Sequence, residues 1–221
     1  MQQDGVIVLD KAQGITSAHA IAQVKRKLQL KKIGHAGTLD PMATGILVCL
    51  CGSATKKATQ YQGGTKTYEG LILLGTSTDS DDLDGEVLSQ NPVPPITDAM
   101  LSQIHEMFRG EILQIPPQVS AIKKDGKRSY EIARKGGVVD LPPRPVTIYE
   151  SRFSLQSRTV LQYSITCSTG TYIRSIARDI GAFLGCGATI KELRRVASAP
   201  FSITDAVRLE DLTEKHICHH L

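Results

Sequence analysis

Residues 34–45, GHAGTLDPMATG, set one carboxylate, Asp40, and one imidazole, His35, among three glycines and a proline. Glycine lets backbone come close to a ligand, and Pro41 fixes its own φ while biasing Asp40 toward extended backbone, so the carboxylate sits on a stiff loop. Two uses fit such a loop. An Asp-Pro pair commonly closes a turn by accepting backbone N–H groups, and an ionised carboxylate held in place can act as a nucleophile or base. The residues of the loop leave both open. They do exclude a phosphate loop, because no Lys followed by Ser or Thr stands after the last glycine. A second cluster, Asp79, Asp81, Asp82 and Asp84, has carboxylates dense enough to suggest calcium, but it lacks the glutamate and the spacing of a complete binding loop, so no metal is expected.

These side chains need a framework. A chain of 221 residues with 41% hydrophobic and 22% charged residues can bury a real core and has no disordered composition. Residues 5–11 read as a first strand closed by Gly14. Thr16 or Ser17 caps a following helix with Ile21, Val24 and Leu28 at helical spacing, while Lys25, Arg26 and Lys27 crowd its solvent side and its end. The apolar runs 46–51 and 67–74 predict buried strands on either side of the glycine-rich loop. Further on, Thr97 caps a helix carrying Leu101, Ile104 and Phe108 on one face, with Gly110 as its stop. A hairpin is expected from 153–155 and 160–167 around residues 156–159, and a last helix over about 172–184 should turn Ile173, Ile176, Ile180 and Phe183 inward and end at Gly185. Strands and helices mix without regular βαβ alternation, which predicts an α+β fold with a largely antiparallel sheet. Residues 89–95 read as a surface loop rather than a linker, within one compact domain.

The five cysteines, Cys49, Cys51, Cys167, Cys186 and Cys218, are odd in number and sit in apolar contexts, which points to reduced thiols rather than a secreted disulfide framework. The terminal cluster His216, Cys218, His219, His220 is too crowded for zinc-ligand spacing and reads as a frayed polar tail. No apolar stretch is long enough to span a bilayer, and a polar start followed by the short apolar run 6–9 disfavours secretion. A net charge of +4 tilts only mildly toward an anionic partner. Basic clusters that could follow a phosphate backbone are Lys25 to Lys27 continued by Lys31 and Lys32, then Lys123, Lys124, Lys127 and Arg128 followed by Tyr130, then Arg194 and Arg195; each is equally a solvated face.

The string KIGHAGTLDPMATGILVCLCGSATK, residues 32–56, resembles the signature of the bacterial tRNA pseudouridine synthase B family. Four further segments are similar to that family in its order: KTYEG at 66–70, TDSDDLDGEV at 78–87, IPPQVSAIKKDGKRSYEIARKG at 115–136 and CSTGTYIRSIARDIGAFLGCGATIKELRR at 167–195. Five matches spread over nearly the whole chain are specific. The resemblance implies a pseudouridine synthase fold, with a central mixed, largely antiparallel sheet flanked by helices. Carried over residue by residue, it makes Asp40 the catalytic carboxylate and Arg174 the arginine that accompanies it, which would favour the ionised carboxylate. Tyr68 corresponds to the tyrosine that stacks on the extruded uracil, Tyr172 and Leu193 to other residues against that base, and His35 to a histidine near the RNA. Core packing is the plain alternative for Tyr68 and Leu193, a structural histidine for His35. The acidic run becomes a turn near the cleft.

The implied reaction isomerises uridine 55 in the T loop of tRNA, recognised as a folded stem-loop, with no cofactor and no obligate protein partner, by a cytoplasmic monomer. An RNA-guided synthase and a tRNA-folding chaperone of the same fold are the alternatives. Two departures qualify the match. A catalytic domain over residues 1–221, with about 196–221 as a short extension, leaves no room for the family's PUA-type RNA-binding domain. Val119 and Ser129 stand where a tyrosine and a leucine are expected.

Overall fold

The computed structural model describes residues 4–119, 123–124, 127–128 and 141–219. They fall into two compact units, Met1–Glu69 with Leu193–Leu221, and Gly70–Glu192.

In the first unit the opening apolar run forms β1 (Gly5–Lys11). Thr16 then caps α1 (Ser17–Lys27), its hydroxyl accepting the His19 N–H; Ser17, Ala20 and Val24 face inward, and the three cations lie in the last turn, where they suit the helix dipole. β2 (Ile33–Ala36) and β3 (Thr44–Cys51) follow, and a 3-10 turn at Gly52–Lys57 leads to α2 (Ala58–Gln62) and β4 (Lys66–Leu74). β3 is antiparallel to β1 from Gly5↔Cys51 to Lys11↔Gly45, and to β2 from Ile33↔Cys51 to Ala36↔Val48. Val6, Val8, Ile46, Val48 and Leu50 pack with Ala36, Tyr61 and Phe201 on one face. Ile7, Leu9, Leu47 and Cys49 alternate with them and are just as buried. Burial on both faces is why these strands read as unbroken apolar runs.

The second unit opens with β5 (Thr76–Thr78) and β6 (Val87–Gln90), an antiparallel pair joined through the acidic turn. Residues 89–95 therefore lie inside this unit as strand end and loop. Thr97 caps α3 (Asp98–Met107), and Gly110, at φ 70°, turns the chain into β7 (Gly110–Gln114). After the short β8 (Lys123–Lys124) and β9 (Lys127–Arg128) come β10 (Arg144–Ser157), β11 (Val160–Cys167) and α4 (Ile173–Leu184). β10 pairs antiparallel with both β7 and β11. It is far longer than the predicted 153–155, because its first half, RPVTIYES, hides only Val146 and Ile148 among polar residues and so carries a weak apolar signal. The turn to β11 shrinks to Arg158 and Thr159, with a register shift between Leu155 and Ser157.

α4 ends at Gly185, in the left-handed conformation as expected. Its inward stripe differs from expectation at one residue. Ile173, Ile176 and Ile180 are buried, but Phe183 is 40% exposed. The cause is Gly181, where a Cβ would collide with the backbone of Gly187 and Ala188, and whose carbonyl accepts the Gly187 N–H at 3.0 Å. That close approach puts Gly181 and Leu184, rather than Phe183, on the buried side.

β12 (Ala188–Ser198) returns the chain to the first unit at Leu193, where it runs parallel to β3 with Arg194↔Thr44 and Arg195↔Gly45. β13 (Phe201–Ser202) folds back on β12, and β14 (Val207–Arg208) lies parallel to β1. Up to His219 the C-terminal segment is not the frayed tail expected from its composition; His220 lies outside the described residues. Cys218 exchanges two 2.9 Å backbone hydrogen bonds with Val6, and Leu212 and Ile217 are buried. The edge of β1 beyond β14 has backbone groups to satisfy, and this segment satisfies them. Of these strand pairings, β1 with β14 and β12 with β3 are parallel and the others antiparallel, so the fold is α+β with a mixed sheet, as the sequence implied.

Candidate active site

The loop bearing Asp40 is held from three directions by side chains of its own unit. Ser17, at the start of α1, both donates to the Leu39 carbonyl and accepts the Leu39 N–H, each at 2.9 Å. Lys11, only 1% exposed at the end of β1, places its three ammonium protons on three carbonyls, Ala12 at 2.9 Å, Ile15 at 2.8 Å and Pro41 at 3.2 Å. Arg195, also 1% exposed, donates Nε to Ile46 O at 2.7 Å and Nη2 to Gly37 O at 2.9 Å, so one guanidinium ties both ends of the loop to β12. Gly37, at φ 79°, lies against Arg195 Nη1 and Lys66 Cε, and the buried Lys66 is itself held by Gln62 O and Gly64 O at 2.8 Å. Gly45, at φ 94°, has no room for a Cβ against the Arg195 carbonyl.

Three buried cations thus stand against a loop that presents a carboxylate, each with its charge answered by carbonyl oxygens. Within the loop the Asp40 carbonyl accepts the Ala43 N–H at 3.1 Å. The turn that an Asp-Pro pair favours is therefore made by the backbone of Asp40. The side chain is half-buried. His35, on β2, is also half-buried; its Nδ1 is buried and makes no hydrogen bond among the described residues. Burial first, and the nearby Arg195 charge second, push the imidazole below its usual pKa and keep it neutral near pH 7. Tyr68 on β4 and Leu193 on β12 are buried in the same unit.

The second unit holds the other two expected residues, at the start of α4. Tyr172 is the N-cap residue and Arg174 lies in the first turn. Arg174 is 4% exposed, donating to Ser80 O at 2.7 Å and Val119 O at 2.9 Å, and its Nε lies 3.6 Å from Asp82 Oδ2, an ionic contact longer than a hydrogen bond. Asp82 in turn accepts the Ser80 hydroxyl and the Asp84 N–H. The acidic turn is therefore built around a buried arginine. Asp81, at φ 62°, sits 3.5 Å from Arg178 and is pushed up to about 6 by burial, against the lowering pull of Arg178 and Arg174. Among the described residues no group of three or more His, Cys, Asp or Glu side chains could hold a metal ion.

The basic clusters fare differently from one another. Lys25, Lys31 and Lys32 are exposed, as a phosphate contact requires, whereas Lys27 donates to Leu209 O and Glu210 O. Arg194 pairs through both Nη atoms with Asp10, at 2.7 and 3.0 Å, and Arg195 is a core residue, so the pair is no surface stripe. The side chains of Lys123, Lys124, Lys127 and Arg128, with Ser129 and Tyr130, lie outside the described residues. Sequence reasoning missed Lys11, Ser17 and Lys66. The available signal was their placement at the ends of apolar strand runs and at a helix start, beside the loop they fasten.

The chain matches the family described as "TruB family pseudouridylate synthase (N terminal domain)" over residues 25–173 and "tRNA pseudouridylate synthase B C-terminal domain" over residues 174–220. It is 46% identical to a tRNA pseudouridine synthase B of Endomicrobium trichonymphae, covering 94% of this chain and 90% of that protein. With the protein of the same name from Opitutus terrae it shares 45% identity over 94% of this chain and 86% of the relative. Among solved structures it is similar to one described as a Cbf5-Nop10-Gar1 complex, with a TM-score of 0.74 and 31% identity over 95% of this chain. A second is described as an H/ACA RNP bound to a substrate RNA containing 2'-deoxyuridine, with a TM-score of 0.71 and 29% identity. The chain spans about half the length of these structural relatives, 54% and 52%. Among the described residues no helix is long and apolar enough to cross a membrane.

Proposed function

Since this chain belongs to the TruB family of pseudouridylate synthases, we propose that it isomerises uridine 55 in the T loop of tRNA, with Asp40 as the reacting carboxylate. The N1–C1′ glycosidic bond breaks, the base rotates, and a C5–C1′ bond forms. The C5 proton leaves as N1 gains one, and no redox partner is needed. A carboxylate serves this by attacking C1′ or by removing a sugar proton to give a glycal.

The observation that carries the reading is the fastening of the family's aspartate loop by Ser17, Lys11 and Arg195. A reaction at C1′ gains from a carboxylate whose position is fixed before the RNA arrives. By resemblance, Tyr68 is the residue that stacks on the extruded uracil and Leu193 and Tyr172 are others assigned to that base; such walls replace stacking lost at a cost of a few kcal/mol. His35, held below its usual pKa by burial and the Arg195 charge, is assigned by the resemblance to the neighbourhood of the RNA beside the extruded base. The family resemblance assigns Arg174 as the arginine that accompanies the catalytic carboxylate. The enzyme acts as a cytoplasmic monomer.

The likeness to the H/ACA structures keeps one alternative in view, an RNA-guided enzyme working with partner proteins. Incubation of the purified protein with an unmodified tRNA and with a bare T stem-loop, followed by mapping of pseudouridine at single-nucleotide resolution, separates the two. Product at position 55 in both RNAs is expected. Product elsewhere contradicts the substrate, and product only with added guide RNA and partners favours the alternative.

A further inference from the structure

We propose that Gln114 is a positioning residue, which fixes the N-terminal turn of α4 and through it Tyr172 and Arg174. The inference rests on the reading that these two residues serve the reaction. A helix leaves its first N–H groups without intrahelical partners, and α4 has no side-chain cap at Tyr172. Gln114, at the end of β7 and only 2% exposed, meets the first of these N–H groups, and the Tyr172 carbonyl as well, from outside the helix. Its Oε1 accepts the Tyr172 N–H at 2.8 Å and its Nε2 donates to the Tyr172 carbonyl at 3.0 Å. The side-chain amide thus pairs with a backbone residue as a neighbouring strand would. Among side chains only Asn and Gln carry an amide donor and acceptor side by side, and the two partners here dictate which way the amide faces.

The reverse bonds come from α4. Ser175 Oγ donates to Ile115 O at 2.8 Å, Arg178 Nη2 to the same oxygen at 2.9 Å, and Arg174 Nη2 to Val119 O at 2.9 Å. Residues 114–119 and the start of α4 are laced in both directions, so the aim of the Arg174 guanidinium depends on a glutamine that need not touch RNA.

The test uses Gln114→Leu, which removes both bonds, and the isosteric Gln114→Glu, which keeps the acceptor but turns a carboxylate oxygen toward the Tyr172 carbonyl. Amide hydrogen exchange at Tyr172 to Ser175, dissociation constants for the T stem-loop, and single-turnover rates are measured on the whole protein. Both variants should raise exchange at these amides, keep RNA affinity within about threefold, and lower the rate about 10- to 100-fold, the penalty for misplacing a reacting constellation by about 1 Å. Unchanged exchange would overturn the clamp, as would a fall in affinity and rate together in the isosteric variant. Raised exchange with an unchanged rate would leave the clamp in place and overturn the reading that puts the start of α4 at the site.

Discussion

Arg194 and Arg195 are adjacent, identical in type, and opposite in consequence. Arg195→Met removes two hydrogen bonds from a buried guanidinium, to Ile46 O at 2.7 Å and Gly37 O at 2.9 Å, and leaves those carbonyls without these partners. Hydrogen bonds to charged groups contribute about 1.5–3 kcal/mol each. Methionine also removes a buried charge, so part of that loss is regained as desolvation cost, and a net loss of about 3 kcal/mol follows. Arg194→Met breaks a bidentate pair with Asp10, but Arg194 is 40% exposed and the expected loss is below about 1 kcal/mol. With a urea slope of about 2–3 kcal/mol/M, the Arg195 variant should unfold about 1 M earlier than wild type and the Arg194 variant within about 0.4 M of it. Because Arg195 grips residues on both sides of Asp40, its loss should also slow single-turnover pseudouridine formation about 10- to 100-fold, with RNA affinity little changed. Equal denaturation midpoints for the two variants, or an Arg195→Met enzyme as fast as wild type, would refute the loop-anchor argument.

Other perturbations read other parts of the structure. Asp82→Asn keeps the shape of the acidic turn but removes the ionic contact of Asp82 with the buried Arg174, at a cost of about 2–3 kcal/mol; calorimetry should detect the loss, and the rate should fall more than the affinity. Gly45→Ala combines a left-handed φ with a collision against Arg195 O and should cost more than about 3 kcal/mol, whereas Gly14→Ala, with similar φ and open space around it, should cost about 1 kcal/mol; denaturation of both variants separates clash from strain. Asp81 has its carboxyl raised to about 6 from the ordinary 3.8, chiefly by burial, so the folded state holds a proton that the unfolded chain releases, and stability falls as pH rises through that window. Asp81→Asn, which tolerates the same φ, should therefore stabilise the protein at pH 7–8 but not near pH 4, as measured by Tm across that range.

What the sequence discloses follows from how locally each feature is encoded. α1, α3 and α4 carry their own boundaries, Thr16, Thr97 and Gly185, and the two-sided burial of β1 and β3 appears as unbroken apolar runs. Features decided by distant partners are hidden. Phe183 follows the helical period yet faces solvent because Gly181 meets Ala188, and the polar C-terminal segment is ordered by the edge of β1. The same holds at the candidate site. Asp40, His35, Tyr68, Tyr172, Arg174 and Leu193 are nameable by resemblance, whereas Lys11 and Gln114 are not and Arg195 reads as a surface cation, since Lys, Arg and Gln default to the surface and only the tertiary fold supplies the carbonyls and N–H groups that bury them.

The central claim is that Asp40 performs the chemistry while the loop around it is built by other residues. The direct measurement compares Asp40→Asn with wild type on an unmodified T stem-loop, recording pseudouridine by single-nucleotide mapping alongside RNA affinity and unfolding midpoint. The fastening bonds come from Ser17, Lys11 and Arg195 and meet backbone of Leu39, Pro41, Gly37 and Ile46, so the variant should fold and bind as wild type does. No pseudouridine should form. Product formed by a purified, folded Asp40→Asn protein at a rate near that of wild type would contradict the claim.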